Sequence, residues 1–130
     1  MKHASKGFTL VELMAVLAIL AILAALVGKA GGTGESRYCD QSEPDQIAAL
    51  FAHLDAQGRT ARVLVNNAGV DASGTPAAQM TDKDWLTTIA VDLTGPFMLC
   101  RAFAVRALKA GQGGRIVNVS SIHETTPRIG

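Results

Sequence analysis

The 130-residue chain is poor in the residues that carry most recognisable chemistry: it has two cysteines, one tyrosine, one tryptophan and three histidines. Cys39 and Cys100 have no CxxC spacing and no Cys/His cluster around them. A multi-disulfide scaffold and a cysteine-based zinc site are therefore excluded, and two small buried thiols are expected, with a single disulfide as the alternative. His3, His53 and His123 are scattered without metal-ligand spacing, so no metal is expected. Charged residues make up 18% of the chain, below the roughly 25% of ordinary soluble domains. The net charge is only +1, and without a basic footprint nucleic acid is not an expected partner.

What is abundant is apolar surface, and it is unevenly placed. Mean hydropathy is +0.24. Between Phe8 and Val27 only Thr9 and Glu12 are polar, and Leu13 to Val27 is unbroken. Leu, Ala and Met dominate this run, so it reads as helix. At ~1.5 Å per residue, such a helix spans about 30 Å, the thickness of a bilayer core. Lys2, His3 and Lys6 precede it, which predicts a cytoplasmic N-terminus with the remainder exported. A cleaved signal peptide is the alternative, but its apolar stretch is usually shorter and no A-x-A site follows before Lys29. Lys6-Gly7-Phe8-Thr9-Leu10-Val11-Glu12-Leu13 and the run behind it resemble a type IV prepilin N-terminus. That resemblance implies cleavage after Gly7 by a prepilin peptidase, methylation of Phe8, and pairing of Glu12 with a neighbouring subunit's amine. A lone carboxylate in a bilayer needs such a partner. Residues 1–7 are then a leader and residues 8–27 a single-pass anchor in a bacterial inner membrane. If the leader is not used, the chain is expected in the cytoplasm.

Residues 28–36 form a Gly-rich linker by composition. They also spell Gly28-x-x-x-Gly32-x-Gly34, the kind of loop that cradles a dinucleotide pyrophosphate between a strand and a helix. The context argues for the linker, because Tyr38-Cys39-Asp40 and Pro44 follow where a helix should run. A degraded remnant of a phosphate loop stands as the alternative.

Beyond the linker the pattern becomes α/β. Ser42 and Pro44 open a helix in which Ile47, Leu50, Phe51 and Leu54 form one apolar stripe, and Gly58 ends it. Val63-Leu64-Val65 reads as a buried parallel strand. Thr81-Asp82 caps a helix bearing Trp85, Leu86 and Ile89, with Trp85 read as core or dimer packing. Thr94-Gly95-Pro96 restarts another helix, with Phe97, Cys100 and Phe103 or Ala104 inward, and Arg115 to Ser120 reads as a second strand. Strand, helix and strand at this spacing make a βαβ unit.

Leu64-Val65-Asn66-Asn67-Ala68-Gly69-Val70 resembles the LVNNAG signature of the short-chain dehydrogenases/reductases. Val91-Asp92-Leu93-Thr94-Gly95 is similar to that family's central helix region, and Gly114 to Ser121 to the strand leading to its catalytic serine. Ser121-Ile122-His123-Glu124 is similar to the glucose-dehydrogenase-like branch. The resemblance covers residues 37–130. It implies a partial Rossmann-like parallel sheet, an incomplete doubly wound fold behind the long apolar helix. It also implies NAD or NADP as cofactor, with Asp40 at the strand end facing adenine and Asn67, Ala68 and Gly69 beside the ribose. Ser121 matches the catalytic serine, and Asp92 stands where the catalytic asparagine is expected. In this family a Tyr acts as general acid/base beside a Lys while hydride passes between nicotinamide and substrate carbon.

The departures from the family shape the expectation. The Tyr-x-x-x-Lys motif is expected about thirteen residues after Ser121 by the family's spacing. No such motif occurs, and the only tyrosine, Tyr38, has no Lys four residues on. The first two strands are missing or compressed into the linker. The first strand of such a sheet normally pairs with the strand at 63–66, so an open edge and a marginal fold are expected. The reading is a truncated dehydrogenase-like chain that once oxidised an alcohol or reduced a carbonyl and is inactive alone. A membrane-anchored pilin-like subunit and a gene-fusion or frameshift product are the alternatives. Self-association through the helix near 95–110 is a further expectation.

Overall fold

The computed structural model describes residues 10–71 and 75–122. The chain divides into two units, residues 1–38 and 39–130. In the first, helix α1 spans Leu10–Lys29. Leu and Ala favour helix throughout it, and Gly31 closes it with φ +77°. From Ala18 onward its side chains are exposed on every face, Ile19, Ile22 and Leu26 among them. Gly7 and Phe8 lie outside the described residues, and Glu12 lies within α1.

The second unit is a small α/β layer. In chain order it contains α2 (Pro44–Ala56), β1 (Val63–Asn66), α3 (Asp82–Ile89), a π-turn (Ala90–Thr94), α4 (Gly95–Lys109) and β2 (Arg115–Asn118). The two strands pair in parallel, Val63 opposite Arg115 through Asn66 opposite Asn118. A parallel pair needs a crossover, and α3 and α4 supply it. The core forms between α2 and α4, where Ile47, Phe51, Leu99 and Phe103 are buried and Leu64 of β1 packs against them. Gly114 lets β2 begin close to this core, because a Cβ there would run into the Phe103 ring. Arg106 fastens the helix pair from outside. Its Nη2 lies 2.7 Å from Asp55 Oδ2, its Nε donates to both carboxylate oxygens, and its guanidinium sits 4.8 Å over the Phe51 ring.

Several local expectations are corrected. Ser42 does not cap α2. Glu43 occupies the N-cap position without a side-chain bond, and Ser42 instead donates to Asp40. Residues 37–40 form no strand; among the described residues only β1 and β2 pair, so no neighbouring strand offers them a ladder. Phe97 is 59% exposed and Trp85 55% exposed, so neither is core in this chain. Cys39 and Cys100 are free thiols and only partly buried. The helix does not restart at Thr94. Its backbone stays helical through a π-turn, with the Gly95 N–H donating to Ala90 O. Thr81 caps α3 as expected, accepting from the Asp84 N–H at 3.1 Å. Gly58, with φ +64°, follows the end of α2.

Among the described residues, one helical stretch, Asp82–Lys109, is long and apolar enough to cross a membrane by length and composition alone. It includes the π-turn, and its Leu99 and Phe103 belong to the core. The N-terminal part described in full, Ala18–Lys29, is shorter.

Candidate active site

At the carboxyl ends of β1 and β2 lies a cavity of about 750 Å³. This is where ligands bind in open α/β sheets. Its walls come from three segments. The turn after β1 contributes Asn67, Ala68 and Gly69, the π-turn contributes Asp92 and Leu93, and the end of β2 contributes Asn118 to Ser121. The first residues of α4 (Pro96, Phe97 and Cys100) complete it. The structure thus brings together five of the six residues singled out beyond the linker: Asn67, Ala68, Gly69, Asp92 and Ser121. Asp40 does not line this cavity.

Asp92 holds two walls in register. Its Oδ1 accepts from the Val70 N–H at 2.9 Å, and a Cβ on Gly69 would stand 3.3 Å from the same oxygen. Only a residue without a side chain leaves that approach unhindered. The π-turn follows from sequence. Pro96 lacks an N–H, and its ring would clash with the Asp92 carbonyl in a regular α-helix, so the backbone widens by one residue. The widened turn presents Asp92 to the cavity.

By its place in the LVNNAG turn, Asn66 is expected with Asn67 on the cofactor side; the structure instead buries Asn66 in the floor, bonded across the strands. Asn66 is 6% exposed, and its Nδ2 donates to Asn118 Oδ1 at 2.8 Å and lies 3.2 Å from Cys100 Sγ. Its Oδ1 is buried without a partner. The available signal was the in-register strand periodicity, which puts Asn66 and Asn118 on the same face of the parallel pair.

Asp40 sits in the loop before α2. Its Oδ1 accepts from the Ser42 N–H at 2.9 Å and from the Ser42 hydroxyl at 2.7 Å, and these bonds lower its carboxyl pKa. Burial, and then the Asp40 charge, raise the pKa of the neighbouring Cys39 thiol.

The fit to a dinucleotide is divided. The Asn67–Gly69 turn and the open cavity leave room for one end of a dinucleotide. The glycines at 28–34 do not form a strand-loop-helix cradle: Gly28 lies inside α1, and residues 32–40 have no regular structure.

The short chain dehydrogenase family profile matches residues 2–130. Galactitol 2-dehydrogenase of Rhizobium johnstonii is 41% identical over 91 residues, covering 70% of this chain and 35% of that enzyme. A 3beta-hydroxysteroid dehydrogenase of Mediterraneibacter gnavus is 39% identical over 93 residues, covering 72% and 33%. A metagenomic short-chain oxidoreductase solved in complex with NADP superposes with a TM-score of 0.72 at 42% identity, covering 84% of this chain and 49% of that one. The chain spans about a third of the length of these curated relatives.

Proposed function

Because the chain belongs to the short-chain dehydrogenase family, we propose that its second unit carries the central part of an NAD(P)-dependent alcohol/carbonyl oxidoreductase site, and that these 130 residues alone perform no hydride transfer. The observation that carries this reading is the gathering of Asn67, Ala68, Gly69, Asp92 and Ser121 around one cavity at the strand ends. In the proposed arrangement Asn67 to Gly69 face the cofactor ribose, and Asp40 approaches the adenine. The Ser121 hydroxyl orients the substrate oxygen by hydrogen bonding. Asp92, in the place of the family's asparagine, keeps the turn and the helix apart at a set distance through Val70. When bound, NAD(P) supplies the hydride acceptor or donor. No residue of this chain matches the family's Tyr-x-x-x-Lys pair, so none is assigned to the proton transfer.

The test is a titration with NADH and NADPH followed by cofactor fluorescence, together with turnover assays on polyols and 3-hydroxysteroids. Weak, unsaturated binding and no turnover are expected. Saturation at micromolar cofactor would show that the absent cradle is dispensable, and turnover would overturn the inactivity reading.

A second reading concerns residues 6–27, and α1 favours it: it is a helix of 20 residues in which Glu12 and Lys29 are the only charged residues. We propose that this segment acts as a prepilin-type leader and anchor, with the inner membrane and a prepilin peptidase as partners. Co-expression with an active prepilin peptidase should shift the intact mass by loss of residues 1–7 and gain of a methyl on Phe8. An unchanged mass would sink the reading. Self-association is assigned to the exposed face of α4, where Phe97, Val105 and Leu108 share one side. Sedimentation of residues 39–130 carrying Leu108→Glu should give a monomer if that face is used.

A further inference from the structure

Gln41 belongs to no regular element, yet its side chain reaches two others. Its Nε2 donates to Ala68 O at 2.9 Å and to Val91 O at 2.8 Å. A primary amide has two N–H protons, and both are used here. Ala68 lies in the turn after β1, and Val91 lies in the π-turn one residue before Asp92.

The Val91 carbonyl needs an outside donor for a reason written in the sequence. In an α-helix it would accept from residue 95, and in a π-turn from residue 96. The Gly95 N–H is committed to Ala90 O, and Pro96 has no N–H. The Gln41 amide supplies what proline removed. Its own backbone is brought close enough because residue 95 is glycine: a Cβ there would collide with the Gln41 carbonyl oxygen. The loop is fixed on its other side by the Asp40–Ser42 bonds and by the Asp40 N–H donating to Gln46 Oε1 at 2.8 Å.

We propose that Gln41 is a positioning residue that sets the distance between the Asn67–Gly69 turn and the Asp92-bearing π-turn. It thereby couples the Asp40 loop to both cavity walls. Asp92 ties these walls from the cavity side through Val70, and Gln41 ties them through the backbone carbonyls. The bearing on cofactor rests on the NAD(P) reading above; the tie itself does not.

Amide hydrogen exchange on the full chain tests the tie, read at Val70 and Gly95, with the Arg115 N–H to Arg62 O bond of the strand pair as control. Gln41→Met keeps the length and removes both donors. Exchange at Val70 and Gly95 should rise roughly tenfold, the scale of one lost hydrogen bond, while Arg115 is unchanged. Gln41→Lys restores an N–H donor at similar reach and should return both sites toward wild type, whereas Gln41→Glu, an acceptor facing two acceptors, should not. Equal exchange in wild type and Gln41→Met overturns the proposal. So does a Lys variant that behaves as the Met variant does. If Gln41→Met does not fold, the wild-type chain decides: the two Nε2 protons should exchange slowly and show scalar coupling to the Ala68 and Val91 carbonyl carbons, and absence of both couplings overturns the tie. A parallel NADH titration keeps the questions apart, since a wild type that binds no NADH ends the cofactor reading while the exchange data still decide the role of Gln41.

Discussion

The two faces of the β1–β2 pair have been treated very differently by the same chain. On one face Leu64 packs into the α2–α4 core, and Asn66 is buried and bonded across to Asn118. On the other, Val63 and Val65 are 52% and 56% exposed, and Val117 is 46% exposed. Each face carries apolar residues, Leu64 and Ile116 on the first and Val63, Val65 and Val117 on the second. The difference shows that a continuous hydrophobic run marks a strand built to be covered twice, as parallel sheets are, whereas only one cover is formed by residues 39–122.

The comparison breaks most sharply on the covered face. Phe103→Ala removes the ring that meets Gly114 and the α2 stripe. It should cost about 3–5 kcal/mol, a large share of the stability of so small a unit, and abolish a cooperative thermal melt of residues 39–130. Retention of a melt near the wild-type midpoint would mean the core lies elsewhere. Next comes the buried asparagine. Asn66→Ala should cost about 1–2 kcal/mol by urea denaturation, and a double-mutant cycle with Asn118→Ala should show coupling between the two.

A smaller effect should appear with pH at the outer fastening of the helix pair. The Arg106 hydrogen bonds, with a lesser contribution from its charge, hold the Asp55 carboxyl below its ordinary pKa. A group depressed in the folded state adds stability that is fully present above its unfolded pKa and is lost as pH falls through the folded one. The melting midpoint should therefore drop from pH 6 toward pH 2, and Asp55→Asn should flatten part of that drop. An identical pH profile in the variant would remove the pair from the account. The smallest effect belongs to the open face. Val65→Lys with Val117→Glu places opposite charges on register partners. Stability should change by no more than about 0.5 kcal/mol while solubility rises. A large loss of stability would show that this face is covered after all.

Much of the second unit was legible in advance. The stripe Ile47, Leu50, Phe51, Leu54 declares one helix face, and all four pack in the core or against it. The LVNNAG run and the 114–121 run placed Asn67 to Gly69 and Ser121 at adjacent strand ends because parallel pairing puts both carboxyl ends on the same side. Other features were not legible. Phe97 sits at a position that reads as inward, and Trp85 at one that reads as core or dimer packing, but both are exposed, because exposure depends on which neighbours exist and a helical period is silent about that. Ser42 had the composition of a cap, yet α2 starts at Pro44, so Glu43 holds the cap position and the Ser42 hydroxyl donates to Asp40 instead. Gln41 carried no local signal at all, since its partners lie 27 and 50 residues away.

By itself, then, the sequence determined the helices at 44–56 and 95–109 and the two paired strands, but not that residues 37–40 stay out of the sheet; it also located the apolar anchor-like stretch and the dehydrogenase-like motifs at the strand ends. These properties are local: periodicity, proline and glycine act within a few residues of themselves. The tertiary structure alone decided that a glutamine from the loop before α2 answers a carbonyl orphaned by Pro96, that Asp92 faces Val70, and that the described residues of the second unit cover one sheet face and not the other. Each of these is a pairing between groups far apart in the chain, and the donors, acceptors and covering surfaces meet only once the chain has folded.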